Sequence, residues 1–408
     1  MKNVASPTAR APSLILLAVV SGLSPFAMAI MLPLLPGLVA QFDSDYVTVQ
    51  FVVSAYLLGL AVSQPVAGFL CDLVGRRPVV LTGMGVFVLT SIACTFADSL
   101  SMLIALRFLQ AAGVSTGTVA SRAVIRDTHA AAVGARAMSY LTIGLGLAPV
   151  MSPMLGGWLY VVGGVRLVFT ATAAVGCIVW CLLWLRLGET RPPEQPKPHW
   201  QAWLTSYGQL LCSRAFMGYT LVFGFIQGTF FAFLAVGAAV FENSFGMGPG
   251  AFGAVWGCMA ISYVLGAVIG GRVSSGRHAP VLLPFGMLAT LLIGISVPVM
   301  TSLLGVTPAT VLPQMFVLMT LSGAVTPVVM AGAVYHHPEA AGTGAGLSSA
   351  LGMVIGSSFT VWAGAVYGGE FSPIAGIIGV AASLTFASWL LVRRAAAAAA
   401  SAAAARQH

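Results

Sequence analysis

Twelve apolar runs separated by short polar turns dominate this sequence and restrict what it can fold into. They fall near residues 14–40, 47–70, 79–97, 100–123, 137–162, 165–187, 215–241, 250–271, 279–304, 308–335, 343–368 and 371–392. A helix crosses the hydrocarbon core of a bilayer with about 20 apolar residues, and each run is close to or above that length. Only 7% of the residues are charged, against roughly 25% in soluble chains, so the runs cannot be covered by polar surface in water. The expected fold class is an all-α membrane protein with twelve transmembrane helices. The first run is not expected to be a cleaved secretory signal. Beyond Ala27-Met28-Ala29 it continues through Leu32-Pro33-Leu34-Leu35-Pro36 to Phe42, long enough to span uncleaved.

The basic residues orient the chain. With both termini cytoplasmic, fifteen of the eighteen Lys and Arg fall on the inside, only Arg166 lies in an outside loop, and Arg107 and Arg122 lie within the fourth run. The net charge of +8 is therefore a topology signal of a bacterial-type cytoplasmic (inner) membrane protein, and no basic cluster points to nucleic acid. The polar stretch Gly188-Glu189-Thr190-Arg191-Pro192-Pro193-Glu194-Gln195-Pro196-Lys197-Pro198 divides the runs six and six. This predicts an N-terminal bundle over 1–187, a cytoplasmic linker over 188–213, a C-terminal bundle over 214–394 and a low-complexity tail over 395–408. Gly75-Arg76-Arg77 is echoed by Gly276-Arg277-His278, as expected of two parallel repeats in a transporter.

Three segments carry chemistry. The second run ends in Gly68-Phe69-Leu70-Cys71-Asp72-Leu73-Val74-Gly75-Arg76-Arg77-Pro78, where glycines permit a tight turn and an acid can pair with cations across helix ends. The fourth run holds Arg107-Phe108-Leu109-Gln110-Ala111-Ala112-Gly113 and then Ser121-Arg122-Ala123-Val124-Ile125-Arg126-Asp127. An arginine well inside an apolar run is costly unless it faces a cavity or finds partners, so Arg107 is expected to be functional. The fifth run contains Ala148-Pro149-Val150-Met151-Ser152-Pro153-Met154-Leu155-Gly156-Gly157, small residues and prolines that allow close approach and bending.

Together these segments resemble the major facilitator superfamily, and within it the Bcr/CflA-like drug exporters. The first matches motif A, GxxxDxxGRR, through Gly68, Asp72, Gly75, Arg76 and Arg77. The second is similar to motif B, whose first arginine lines the central cavity in that branch. The third resembles the antiporter motif C through Pro149, Pro153, Gly156 and Gly157, although Ser152 stands in place of its first glycine. Tyr56, Gly59 and Gln64 in the second run add to the likeness. The resemblance implies two six-helix halves that rock about a midplane site. Asp72 would pair with Arg126 or Arg122 near Asp127 and face the start of the eleventh helix near Thr343, latching the outward-facing state. Export of a drug-like or secreted small metabolite, a siderophore among the options, follows. It would need no cofactor, a proton gradient would supply the energy, and a monomer in the lipid bilayer would suffice.

The chain departs from that branch at Ala29, where drug exporters carry an acid before the LPxLP pattern. All ten acids map to loops: Asp43, Asp45, Asp98, Glu242 and Glu370 outside, and Asp72, Asp127, Glu189, Glu194 and Glu339 inside. The histidines 129, 199, 278, 336, 337 and 408 also fall in cytoplasmic loops or the tail. Either an acid near a mouth couples transport, with Asp127 favoured, or the substrate itself is an anion that answers Arg107; the second reading is preferred. Further cavity candidates are Gln110, Ser115 and Thr118 in the fourth run, Tyr219 and Gln227 in the seventh, Ser262 and Tyr263 in the eighth, and Ser322 and Thr326 in the tenth. An importer of sugars or carboxylates is the alternative within transport. An intramembrane enzyme would need paired acids, a metal cluster or a nucleophile with its base inside the spans, and the runs offer none. The six cysteines are scattered singly without metal-ligand spacing and read as small apolar fillers.

Overall fold

The computed structural model describes residues 13–128, 131–191, 200–274, 279–335 and 341–405, with only the backbone described for some helical residues, Arg126 and Pro149 among them. The first run is not one helix. It forms α1 (Leu14–Ala29), a 3-10 turn over Leu32–Leu34 and α2 (Leu35–Gln41), because Pro33 and Pro36 lack the N–H that a continuous ladder needs. α3 (Tyr46–Val74) starts at Asp45, whose carboxylate accepts from Thr48 N at 2.8 Å and from Thr48 Oγ1 at 2.7 Å. These bonds favour the charged form and hold the Asp45 carboxyl below the usual range.

α4 (Arg76–Thr95) follows α3 after Gly75 alone, and α5 (Leu100–Thr128) completes the fourth span. α6 (Ala131–Arg186) contains the fifth and sixth spans, broken at Gly163 and Gly164, the latter at φ 66°. That break coincides with the gap between the fifth and sixth apolar runs, and a φ above zero is where glycine costs nothing. The linker region forms its own helix, α7 (Trp200–Cys212). The C-terminal half is α8 (Arg214–Asn243), α9 (Pro249–Ser274), α10 (Ala279–Leu304), α11 (Pro308–Tyr335), α12 (Ala341–Val366) and α13 (Ser372–Ala405). α13 continues through the alanine-rich stretch that the sequence marks as tail, in keeping with alanine's helix propensity.

With α1 and α2 counted together and α6 counted as two spans, the twelve expected helices are present in two sets of six. Leu89, Trp184 and Leu303 are among many large apolar side chains left on the outside, as a lipid-facing surface requires. The halves meet along α3 with α12 and α6 with α9. Across the seam Gly253 of α9 lies directly against the Pro153 carbonyl, and within the N-terminal half Gly156 of α6 lies against the Ile30 carbonyl, so backbones approach at both places without side chains between them.

One end of the bundle carries the α3–α4 turn and most of the described arginines and is called here the basic end. Three hydrogen bonds join the halves in the opposite half of the structure. Tyr46 Oη donates to the Ala235 carbonyl at 3.0 Å, Gln50 Nε2 donates to the same carbonyl, and Ser357 Oγ donates to the Ser54 carbonyl at 3.3 Å. The Tyr46 and Tyr367 rings add a contact at 5.3 Å. The molecule is thus sealed away from the basic end.

Candidate functional site

Three groups of residues are positioned by this architecture. At the basic end, Gly75 adopts φ 126°, and a Cβ there would strike the Glu189 carboxylate. Glu189 accepts from the backbone N–H of Arg76 at 3.0 Å and of Arg77 at 3.1 Å. A carboxylate thereby satisfies two orphan donors at the start of α4 and faces the positive end of its dipole. The Arg76 side chain is 1% exposed and joins Asp72 at 3.1 Å, Asp127 at 2.7 Å and the Cys71 carbonyl at 2.9 Å. Arg77 donates to the Trp184 carbonyl and Arg191 to the Leu73 carbonyl, both at 3.3 Å.

Asp72 therefore pairs with Arg76, one turn along its own end of the chain, rather than with Arg122. The Arg126 side chain lies outside the described residues, as does that of Thr343. Asp72 is 43% exposed and makes no hydrogen bond or ion pair with α12 among the described residues. Gly68 packs at ordinary distance from Val119. Glu189 was readable in the sequence only as a linker acid, because no local pattern ties it to a turn more than a hundred residues earlier.

The second group surrounds Arg107, which is wholly buried. Its guanidinium carbon lies 4.1 Å from the centroid of the Tyr56 ring. Nη1 donates to the Ala27 carbonyl at 3.0 Å and to Gln110 Oε1, and Gln110 Nε2 donates to Ser91 Oγ at 2.7 Å. Tyr56 Oη donates to the Ser24 carbonyl at 2.8 Å. Ala27 belongs to the last turn of α1, where carbonyls lack donors and the helix dipole is negative. The end of α1 at Ala29 thus leaves an acceptor that lets a cation sit here without an acid. Arg107 Nε and Nη2 remain without hydrogen-bond partners. Arg107 and Gln110 are not on the cavity wall described next; they stand behind it and brace α1.

The third group lines a cavity of about 230 Å³ between the halves. α1 contributes Ser24, Met28 and Ala29, and α3 and α5 contribute Gln64, Thr118 and Arg122. α8 contributes Gln227 and Phe230, α9 Trp256 and Tyr263, α11 Ser322, and α12 Ser349. Gln227, Thr118, Tyr263 and Ser322 were singled out from the sequence and do reach the wall. Ser115, Ser262 and Thr326 are not part of it, and Tyr219 packs against Gly332 inside the C-terminal half. The aromatic and methionine side of the wall carried no sequence signal, since such residues are ordinary in any apolar span.

Ala29, where the drug-exporter pattern expects an acid, is on the wall. Asp and Glu are absent from the lining, and no group of metal-ligating residues occurs among the described residues. The six histidines, and the acids Glu194 and Glu339, lie outside the described residues. Of the residues in the fifth run, Pro153, Gly156 and Gly157 are buried; the Pro153 carbonyl meets Gly253 of the other half and Gly156 meets the Ile30 carbonyl of its own half, while the Pro149 side chain lies outside the described residues. The arrangement is a solute-sized cavity with one cation, several uncharged polar groups, and contributions from both halves.

A family model described as "Major Facilitator Superfamily" matches residues 17–361. An uncharacterised MFS-type transporter of Bacillus subtilis (strain 168), YdgK, is 29% identical over 345 residues, 84% of this chain and 86% of the relative. A bicyclomycin resistance protein homolog of Haemophilus influenzae (strain ATCC 51907 / DSM 11121 / KW20 / Rd) is 25% identical over 344 residues, again 84% and 86%. Among solved structures, a bacterial homolog of the human lysosomal transporter Spinster, in an inward-facing and occupied conformation, superposes with a TM-score of 0.69 at 16% identity, covering 94% of each chain. That likeness concerns the fold.

Proposed function

This chain belongs to the major facilitator superfamily, a family of transporters rather than enzymes, and on that premise we propose that it exports a drug-like or secreted small metabolite across the cytoplasmic (inner) membrane. The observation that carries this reading is the central cavity, walled by both halves and sealed, among the described residues, by Tyr46, Gln50 and Ser357 at the end away from the basic end. Two halves around one site, closed on one side, are what alternating access requires. The basic end is taken as cytoplasmic from the distribution of Lys and Arg, so this is the inward-facing arrangement, ready to load from the cell. Export over import is supported by the likeness to a bicyclomycin resistance homolog over 84% of the chain and by the motif C-like segment, whose Pro153 meets Gly253 of the other half. One chain supplies both walls, so a monomer suffices.

In the cycle, solute enters from the cytoplasm, the halves rock, and the seal on the far side opens. Asp72, bound to Arg76 among the described residues, is exposed and available to meet the start of α12 when the basic end closes. Arg107 holds the last turn of α1 in place through Ala27, and so shapes the wall made by Ser24, Met28 and Ala29. Proton antiport would have to use an acid outside that wall; Asp127 is the nearest in sequence to it and is already engaged by Arg76.

Everted membrane vesicles from cells producing the chain test the reading. Accumulation of a labelled solute from a broad panel, above vesicles lacking the chain, is expected. No accumulation, or uptake only by intact cells, overturns export.

A further inference from the structure

The cavity contains a cation with no partner among the described residues. Arg122 is exposed to the cavity, under two turns from the basic end of α5, and makes no hydrogen bond or ion pair among the described residues. Asp127, five residues later, directs Oδ2 to Arg76 at 2.7 Å, and Asp72 is held by the same guanidinium. A snorkelling arginine would leave the protein for the headgroup layer; this one shares a wall with Thr118, a turn deeper, and Gln64. An unanswered guanidinium in a low-dielectric cavity attracts an anion and repels a cation more strongly than it would in water.

The facing wall is of a different kind. Phe230, Phe231, Trp256 and Tyr263 supply aromatic surface, and Met259 and Met319 supply flexible thioethers, which accept flat apolar bodies of varied outline. Aromatic faces alone would also attract cations, so the discrimination must come from Arg122. The volume, about 230 Å³, is below the roughly 300–1,000 Å³ common for ligand pockets and suits a compact molecule rather than a bulky chelator.

We propose that the cavity selects compact amphipathic organic monoanions, with Arg122 binding the carboxylate or similar oxyanion and the α8–α9 wall holding the apolar or aromatic body. The planar guanidinium matches such an oxyanion with two parallel donors. This deepens the export reading and rests on it for transport, whereas binding at Arg122 is tested without transport.

The purified full chain in neutral detergent is dialysed against three matched probes: 2-naphthoate, 2-naphthamide and 2-naphthyltrimethylammonium. Naphthoate is expected to bind at least about tenfold more tightly than the amide, with the cation weakest, as befits a hydrogen bond to a charged group. Arg122→Gln should bring the naphthoate-to-amide ratio to about one, and Arg122→Lys should retain part of the preference. Because Arg122 makes no bond among the described residues, both variants should unfold at the wild-type temperature. No naphthoate preference in the wild type, no naphthoate binding at all, or a preference that survives Arg122→Gln overturns the proposal. Those results leave export standing, since the vesicle assay fails only if no solute is moved outward.

Discussion

The guanidinium of Arg107 lies 4.1 Å from the centre of the Tyr56 ring, at the end of α1, with no ion pair to a carboxylate among the described residues. The pair is a structural element of the N-terminal half, and its loss should be felt first as instability. Arg107→Ala strands the Ala27 carbonyl and Gln110 Oε1 and removes the stacking, at a cost of about 2–4 kcal/mol. Arg107→Lys should be only a partial replacement, because an ammonium cannot stack as a planar group while reaching two acceptors. Thermal unfolding of the purified variants checks this; an unchanged midpoint for Arg107→Ala would show that the network contributes nothing.

The α3–α4 turn should tolerate no side chain at Gly75. Its φ of 126° costs an L-residue about 1–3 kcal/mol, and the Glu189 carboxylate occupies the space. Glu189→Ala removes the steric conflict together with the cap, so it should destabilise by about 1 kcal/mol by itself. The double variant should then be less destabilised than the sum of the single changes. A double-mutant cycle on unfolding midpoints measures the coupling.

Tyr46 and Gln50 converge on one acceptor, the Ala235 carbonyl. Each hydrogen bond is worth about 1 kcal/mol, so Tyr46→Phe or Gln50→Leu should shift the balance toward the outward-open form by roughly fivefold. In a background lacking the six native cysteines, Met28→Cys places a thiol on the cavity wall. Faster labelling of that thiol by an impermeant maleimide added from outside is the expected readout.

Ala29→Asp introduces an acid into a cavity whose only charge among the described residues is Arg122. The new carboxylate should compete with bound anions and lower naphthoate affinity at neutral pH by about tenfold. Protonation of that carboxylate removes the competitor, so naphthoate affinity in this variant should rise as pH falls. The wild type, with no Asp or Glu on the wall among the described residues, should show no such rise, and dialysis at several pH values compares them.

Monoanion export without a cavity acid can draw on the membrane potential directly. Moving one charge across 100 mV is worth about 2.3 kcal/mol, or roughly fiftyfold in concentration. In proteoliposomes, naphthoate efflux should therefore accelerate with an interior-negative potential set by potassium and valinomycin. A pH gradient imposed without a potential should leave the rate unchanged.

Much of the architecture was legible because local physics fixes it. Spans follow from apolar length, the α6 break from Gly163-Gly164, and the start of α3 from Asp45 followed by Thr48. The first span was less legible: its apolar run is continuous, but Pro33 and Pro36 interrupt the hydrogen bonding. The motif A turn could be read, whereas its engagement by Glu189 could not. Pairing across more than a hundred residues depends on how helices return to one end of the bundle.

The sequence by itself determined the solvent, the number of spans, the sidedness of charge and the family likeness, all of which depend on composition or on short spacings. It also placed two arginines in one helix, and there its information stopped. Arg107 and Arg122 are fifteen residues apart, which at 3.6 residues per turn leaves them within about 60° of the same face and roughly 22 Å apart along the axis. Periodicity cannot distinguish them. Only the tertiary structure decided that the last turn of α1 and the Tyr56 ring close over Arg107, while Arg122 is left facing the open cavity. The physical reason is that a side chain's role in a bundle is set by what another helix places opposite it, and that neighbour is chosen by packing.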